Sequence, residues 1–219
     1  MASELKPIGV FGGAFDPVHY GHLALARETA DRLDLTEVRF VPANMPPHRA
    51  QPHASAEQRV QMLKLAISGN PCFVLDQREI LREGASYTVD TLSAMRSEWG
   101  GKRPLCLLMG ADTFAGLASW HRWKKLFELA HIVVVQRPGF DLRHLQSSLE
   151  EEFAKRRAKS PHASHDKPCG AIIVVEVTPV DISASMIREK LAGGKSVRNL
   201  LPGLVLDYIQ AQGLYHGGG

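Results

Sequence analysis

The sequence predicts an α/β fold with strands running parallel in an open sheet. Two observations point to it. Short apolar runs alternate with amphipathic stretches along the whole chain, and chemistry-bearing residues gather where apolar runs end and helices begin. Alternating strands and helices build parallel sheets, and ligands of open sheets bind outside the carboxyl ends of the strands.

Ile8-Gly9-Val10-Phe11 reads as the first strand, and Leu23 to Leu33 as the helix after it. Val38-Arg39-Phe40-Val41-Pro42 is a second strand, closed by proline. Ala43 to Arg49 is a stiff polar loop. Ser55-Ala56-Glu57-Gln58 is a capping box that opens a helix over Arg59 to Ile67, and Gly69-Asn70-Pro71 stops it. Cys72 to Leu75 is a third strand, with Gln77 to Leu81 expected to pair beside it. A loop over Gly84 to Thr88 leads into a helix reaching Trp99, with Ser86 or Thr88 as its cap.

Gly100-Gly101-Lys102 breaks that helix. Leu105 to Met109 is a buried strand running into Gly110-Ala111-Asp112. Helical turns follow over Phe114 to Leu117, at Trp120, and from Trp123 to Ala130. Ile132 to Val135 is another strand. Leu142 to Ala158 reads as a charge-rich helix, Lys159 to Gly170 as a mobile surface loop, and Ala171 to Val177 as the last strong strand. Two helices, Ser183 to Leu191 before Gly193-Gly194 and Leu204 to Gln212 before Gly213, close the chain.

Composition narrows the function classes. The 219 residues suit one domain, and 44% hydrophobic content supports a core rather than general disorder. A net charge of +3 fits an anionic small molecule better than nucleic acid, which calls for a denser basic patch. The three cysteines, Cys72, Cys106 and Cys169, are odd in number and widely spaced, so a reducing compartment is expected rather than a disulfide framework. Cys72 and Cys106 sit in apolar runs and are expected to be buried. Neither a secretory h-region nor a membrane-length apolar segment is visible, so a cytoplasmic, membrane-independent protein is expected.

The densest signal is Gly12-Gly13-Ala14-Phe15-Asp16-Pro17-Val18-His19-Tyr20-Gly21-His22. The glycine pair lets a phosphate approach the backbone. The helix start adds N–H groups and partial positive charge. His19 and His22 are three apart, so where the helix has begun by then they share one face and point to a phosphate-binding pair. The plain alternative is a tight turn capped by Asp16 with surface histidines. A zinc site is the other, but no Cys, Asp or Glu cluster nearby completes it.

The second signal is Asp181 to Arg188. Ser183 is a good N-cap, and Ser185 and Arg188 share a face at that helix start, where hydroxyl, amide and guanidinium donors suit polyphosphate. Asp112 either bonds ribose hydroxyls or caps a helix. Trp120 is a better ring-stacking candidate than Trp123, which is expected to anchor the core. His48, His53, His162 and His165 are expected to be solvated.

These residues resemble the nucleotidyltransferase superfamily marked by an His-x-Gly-His signature, and within it the bacterial nicotinate-nucleotide adenylyltransferase family. The matching segments are Gly12 to His22, Pro42 to Arg49, Ser86-Tyr87-Thr88, Gly110-Ala111-Asp112, Trp120, Arg137-Pro138-Gly139 and Ile182 to Arg188. The family commonly writes Ser-Ser-Thr where this chain has Ser183-Ala184-Ser185, and lysine where it has Arg49.

The resemblance implies a Rossmann-like sheet with helices on both faces, and one nucleotidyltransferase domain over 1–219 whose 183–212 part completes the phosphate site. It implies adenylyl transfer from ATP to nicotinate mononucleotide, with Mg²⁺ carried by the ATP phosphates. His19, His22 and Arg188 are the implied catalytic residues. Gly12, Gly13, Phe15, Gly110, Asp112, Ser183 and Ser185 join them at ATP. Asn44, Arg49, Ser86, Tyr87, Thr88, Trp120 and Arg137 are implied for the mononucleotide. The nearest rival is another transferase of the superfamily, such as the pantetheine-phosphate enzyme. A non-catalytic nucleotide-binding module is the rival from another class.

Overall fold

A computed structural model of the chain describes residues 5–44, 51–136 and 145–216. Six strands form one sheet: β1 (Ile8–Gly13), β2 (Glu37–Pro42), β3 (Phe73–Leu75), β4 (Leu105–Gly110), β5 (His131–Gln136) and β6 (Ile172–Glu176). Their order is β3-β2-β1-β4-β5-β6, the doubly wound order of Rossmann-like folds. β1 pairs parallel to β4 with Ile8 opposite Leu105. β4 pairs parallel to β5 with Cys106 opposite His131, and β5 parallel to β6 with Ile132 opposite Ile172. Residues Leu105–Met109 of β4 and His131–Val135 of β5 are buried without a break. This explains their continuous apolar runs, since such strands are covered on both faces.

The helices among the described residues are α1 (Tyr20–Leu33), α2 (Ala56–Ile67), α3 (Thr88–Trp99), α4 (Ala111–Ala115), α5 (Leu126–Leu129), α6 (Ser147–Arg156), α7 (Ala163–Asp166), α8 (Ala184–Ala192) and α9 (Gly203–Ala211). None is long and apolar enough to cross a membrane.

The chain divides into two compact units. One comprises Met1–Gly12, Ala26–Arg39 and Tyr87–Pro179. Its core includes Leu92, Met95, Leu108, Phe114, Phe127 and Ile172, and α3 packs against α5. Arg96 ties its loops together by donating to the carbonyls of Leu129 at 2.7 Å and Pro168 at 2.7 Å. The other unit comprises Gly13–Leu25, Phe40–Ser86 and Val180–Gly219. Its core includes Phe15, Phe40, Met62, Leu63, Ile187 and Ile209, and α2 packs against α9.

Several expectations need correction. The first helix begins at Tyr20 rather than Leu23, so the histidine signature opens it. Gln77 to Leu81 is a turn, not a strand. The Asp76 carboxylate accepts the Arg78 amide at 3.1 Å and its guanidinium at 2.7 Å, which curls the chain as β3 ends. Neither Ser86 nor Thr88 caps α3: Tyr87 holds the N-cap position without a side-chain bond. The helix expected from Leu142 begins at Ser147, and 142–144 lie outside the described residues.

Cys72 is exposed, unlike Cys106, whose thiol burial pushes up to about 12. The 159–170 segment is not a plain surface loop. It carries α7, Ser164 is fully buried, and the Pro168 carbonyl accepts the Leu105 amide at 3.2 Å. His165, expected in solvent, contacts the Leu33 carbonyl through Nε2 at 2.9 Å.

Candidate active site

β1 delivers the motif into a loop with little spare space. Phe15 is buried at φ 51°, a region that costs a non-glycine residue free energy and persists only where packing holds it. Its ring meets His22 edge-on at 5.1 Å and Phe40 at 5.7 Å. A Cβ at Gly13 would come within 3.1 Å of the Phe15 ring, whereas one at Gly12 would meet nothing within 4 Å. Only Gly12 therefore leaves open space beside the backbone; at Gly13 the missing side chain makes room for Phe15. Phe15 itself supports His22 from within the core.

His19 and His22 come together as expected, with stacked rings at a 3.7 Å centroid separation. The His19 amide donates to His22 Nδ1 at 3.3 Å. In a neutral His22 ring the proton then sits on Nε2. His19 is 5% exposed, and burial lowers its pKa to about 4, so this ring is neutral at pH 7. Its Nδ1 is buried without a hydrogen-bond partner and faces Gly21, where an added Cβ would lie 3.0 Å away. A side chain at 21 would have to push the His19 imidazole off the backbone, so glycine lets that ring lie close. His22 thus uses Nδ1 for the His19 amide, and His19 turns its Nδ1 toward Gly21.

The start of α1 offers an anion less than expected. The Tyr20 amide donates to the Leu200 carbonyl at 3.0 Å, and the His22 and Leu23 amides donate to the His19 carbonyl. Side-chain donors therefore matter more than helix amides at this end.

α8 brings the second group. Ser183 caps it, its hydroxyl oxygen accepting the Met186 amide at 3.2 Å, which leaves the hydroxyl proton to donate elsewhere. Arg188 donates through Nη2 to the Ser185 hydroxyl at 3.3 Å and through Nη1 to the Asp16 carbonyl at 2.7 Å. The guanidinium is held between the motif loop and its own helix.

Sequence reasoning missed three residues that organise this cluster. Asp16 does more than cap a tight turn: it is a buried hub. Its Oδ2 accepts the His53 amide at 2.7 Å and approaches the His53 ring at 3.3 Å, while its Oδ1 accepts the Ala54 amide at 3.0 Å and the Tyr215 hydroxyl at 2.7 Å. Burial alone would push the Asp16 carboxyl up. The Tyr215 hydroxyl and the His53 and Ala54 donors outweigh it and hold the group below the ordinary carboxylate range.

Burial and the Asp16 bond push the Tyr215 phenol up, so it stays a donor. Arg59, expected only as part of an amphipathic helix, is 1% exposed. It donates to the carbonyls of Ala14 at 2.9 Å and Ala43 at 2.7 Å, clamping the motif loop to the loop after β2. Its only sequence signal is a charged residue on a helix face that should be apolar.

The expected mononucleotide residues divide. In the unit holding the histidines, the Asn44 amide donates to the Ser86 hydroxyl at 3.0 Å, and Asn44 Nδ2 donates to the Arg82 carbonyl at 3.4 Å. Both side chains thus shape their loop. Arg49 and Arg137 lie outside the described residues.

Gly12, Tyr87, Thr88, Gly110, Asp112 and Trp120 belong to the other unit. There the Tyr87 ring lies 4.5 Å from that of His121, a residue sequence reasoning did not single out. Thr88 opens α3, whose first bonds run from Asp90 and Thr91 to the Tyr87 carbonyl. Gly110 ends β4 as the backbone N-cap of α4; Asp112 is exposed in that helix and no side chain caps it. Trp120 is half-buried. Trp123 is also half-buried rather than a core anchor, its ring edge-on to Phe127 at 6.0 Å.

Among the described residues, no group of three or more His, Cys, Asp or Glu could hold a metal ion. The arrangement instead assembles neutral and cationic hydrogen-bond donors, the chemistry of a polyphosphate site.

Comparisons with known proteins agree with that chemistry. The cytidylyltransferase-like family model matches residues 10–190. The chain is 48% identical over 215 residues to a Halorhodospira halophila protein named "Probable nicotinate-nucleotide adenylyltransferase", covering 98% of each. It is 41% identical over 216 residues to the Yersinia pestis protein of that name, covering 99% of this chain and 98% of the relative. A solved structure, the Plasmodium falciparum nicotinic acid mononucleotide adenylyltransferase complexed with NaAD, matches with a TM-score of 0.71 at 17% identity, covering 96% of this chain and 97% of its own. At that identity the likeness speaks for the fold.

Proposed function

The chain belongs to the cytidylyltransferase-like family and, within it, to the nicotinate-nucleotide adenylyltransferases, and from that premise we propose how its residues transfer the adenylyl group of ATP to nicotinate mononucleotide, giving deamido-NAD and pyrophosphate. The observation that carries the reading is the stacked His19–His22 pair in one unit with an Arg188 fixed by Asp16 and Ser185.

The nucleophile is the mononucleotide phosphate, largely ionised at neutral pH, so no protein base has to remove a proton. Catalysis then consists of aligning that phosphate with the α-phosphate of ATP and stabilising charge on the departing pyrophosphate. His19, neutral at pH 7, and His22 direct ring N–H groups to the α- and β-phosphate oxygens. Ser183 and Ser185 offer hydroxyl protons, and the remaining guanidinium donors of Arg188 take the leaving group. Mg²⁺ would arrive with ATP as part of that substrate and would supply neutralising charge to the departing pyrophosphate.

In this reading Gly12 leaves room for the triphosphate, Asp112 and Gly110 meet the ribose side of ATP, and Phe15 and Gly13 set the pose of His22. Tyr87, Thr88 and Trp120 surround the pyridine ring. Asn44 and Ser86 shape the mononucleotide loop, with Arg49 and Arg137 assigned to the same substrate. Residues 183–212 complete the phosphate site of one nucleotidyltransferase domain. The three free cysteines, Cys72 exposed among them, support a reducing, cytoplasmic setting.

The test is pyrophosphate release by the full chain with MgATP and nicotinate mononucleotide. Release that depends on both substrates, with deamido-NAD formed in equal amount, is expected. Nucleotide binding without turnover would contradict the proposal.

A further inference from the structure

The residue after a closing helix rarely bears on a motif near the start of a chain, yet Tyr215 bonds Asp16 across 199 residues. We propose that Tyr215 is a positioning residue for Arg188, acting through Asp16, so that the C-terminal segment latches the pyrophosphate side of the site. The inference rests on the reading of Arg188 given above.

The chain of contacts is short. α9 ends at Ala211, Gly213 turns at φ 61°, and the Leu214 amide returns to the Ile209 carbonyl at 3.0 Å. This turn aims Tyr215 back at the motif. Tyr215 itself stands at φ 61°, a left-handed conformation that a non-glycine residue keeps only when its surroundings hold it. Its hydroxyl donates to Asp16 Oδ1 at 2.7 Å. The backbone carbonyl of the same Asp16 accepts Arg188 Nη1 at 2.7 Å, and that nitrogen lies 3.9 Å from Asp16 Oδ2. One aspartate thus holds the tyrosine with one carboxylate oxygen and the arginine with its carbonyl. Loss of the hydroxyl leaves the carboxylate on the His53 and Ala54 amides, so the Oδ2 charge 3.9 Å from Arg188 Nη1 is placed less firmly and the guanidinium with it.

The geometry also says which substrate should feel the change. Arg188 is assigned to the β- and γ-phosphates of ATP, so a misplaced guanidinium weakens ATP use and leaves the mononucleotide untouched. A residue that merely supports the fold would lower thermal stability and affect both substrates alike.

The experiment measures kcat and KM for each substrate, with melting temperatures, for Tyr215→Phe, Arg188→Ala and the double variant. Tyr215→Phe keeps the ring and removes the hydroxyl. Its expected effect is a fall in kcat/KM for ATP on the order of tenfold, the scale of a hydrogen bond to a charged group, with KM for nicotinate mononucleotide within about twofold of the parent. In the double variant the loss should be no greater than in Arg188→Ala alone, because both changes act on one guanidinium.

Asp16→Asn, which weakens the same link from the other side, supplies a second handle should Tyr215→Phe fail to fold; it should show the same selective ATP defect. Additive losses in the double variant, equal losses for both substrates, or parental ATP kinetics in Tyr215→Phe would each overturn the proposal while leaving the reaction standing. Parental ATP use in Arg188→Ala would instead overturn the Arg188 assignment and this inference with it.

Discussion

His19 sits where a charge is costly, and pH should reveal it. Its pKa falls from 6.5 to about 4 because the ring is buried. The unfolded chain therefore binds the proton more readily than the folded one between these values, and stability falls as pH drops through that window. The contribution is intact above the unfolded pKa. By about pH 4.5, two-state proton linkage removes roughly 2 kcal/mol for one such ring, a large share of the stability of an ordinary domain.

His131, buried and also lowered to about 4, adds a loss of the same sign and size. Its ring is bonded, Nε2 meeting the Lys167 carbonyl at 2.7 Å. Asp16 adds little in this window, since its lowered pKa sheds stability only at lower pH. The perturbation is His19→Asn, which cannot titrate there. Urea unfolding of parent and variant, without substrates, at about pH 7 and about pH 4.5 gives four free energies. The parent should lose roughly 2 kcal/mol more than the variant on acidification. Equal losses would refute the placement of a buried, neutral imidazole at position 19.

Other consequences can be checked in the same preparations. His22→Ala should reduce turnover by roughly 10²–10³ because the ring donates at the phosphates, with a separate, smaller fall in melting temperature from the lost acceptor of the His19 amide, so turnover and melting are measured together. Arg59→Leu should destabilise the protein by about 3 kcal/mol or more, since the carbonyls of Ala14 and Ala43 each lose a buried charged donor; denaturant unfolding would read it. Thr88→Pro should fold, because Thr88 is the first residue of α3, where proline is tolerated. By removing an N–H that faces the nicotinate carboxylate in our reading, it should narrow discrimination between the acidic and amide mononucleotides more than Thr88→Ala does, which steady-state kinetics with both would show.

Much of the fold was legible because its strands are short, apolar and separated by clear breakers. β4 and β5 announce themselves through unbroken runs such as Leu105-Cys106-Leu107-Leu108-Met109, and the Ser55 capping box forms as spaced, with the Gln58 side chain returning to the Ser55 amide at 2.9 Å. The spacing of His19 and His22, and of Ser185 and Arg188, is local and survives into the structure.

What escaped is non-local. Asp16 gains its partners 37, 38 and 199 residues away, and Arg59 reaches a carbonyl 45 residues back. No periodicity carries such pairings. Ser86 illustrates a second limit: a hydroxyl before a helix suggests a cap, but a loop amide from Asn44 competed for it and won. Cys72 shows a third, since an apolar run places its end residue on either side of the surface.

The central claim is that this site transfers an adenylyl group to the acidic mononucleotide. The direct measurement is a competition assay in which nicotinate and nicotinamide mononucleotides are offered together with limiting MgATP, and both dinucleotide products are counted. Ring stacking treats the two alike, so discrimination must come from donors facing the carboxylate, and an unpaired buried donor costs about 1–3 kcal/mol. Two such donors at the start of α3 lead to a preference for the nicotinate product on the order of a hundredfold or more. Equal yields of the two products would contradict the account.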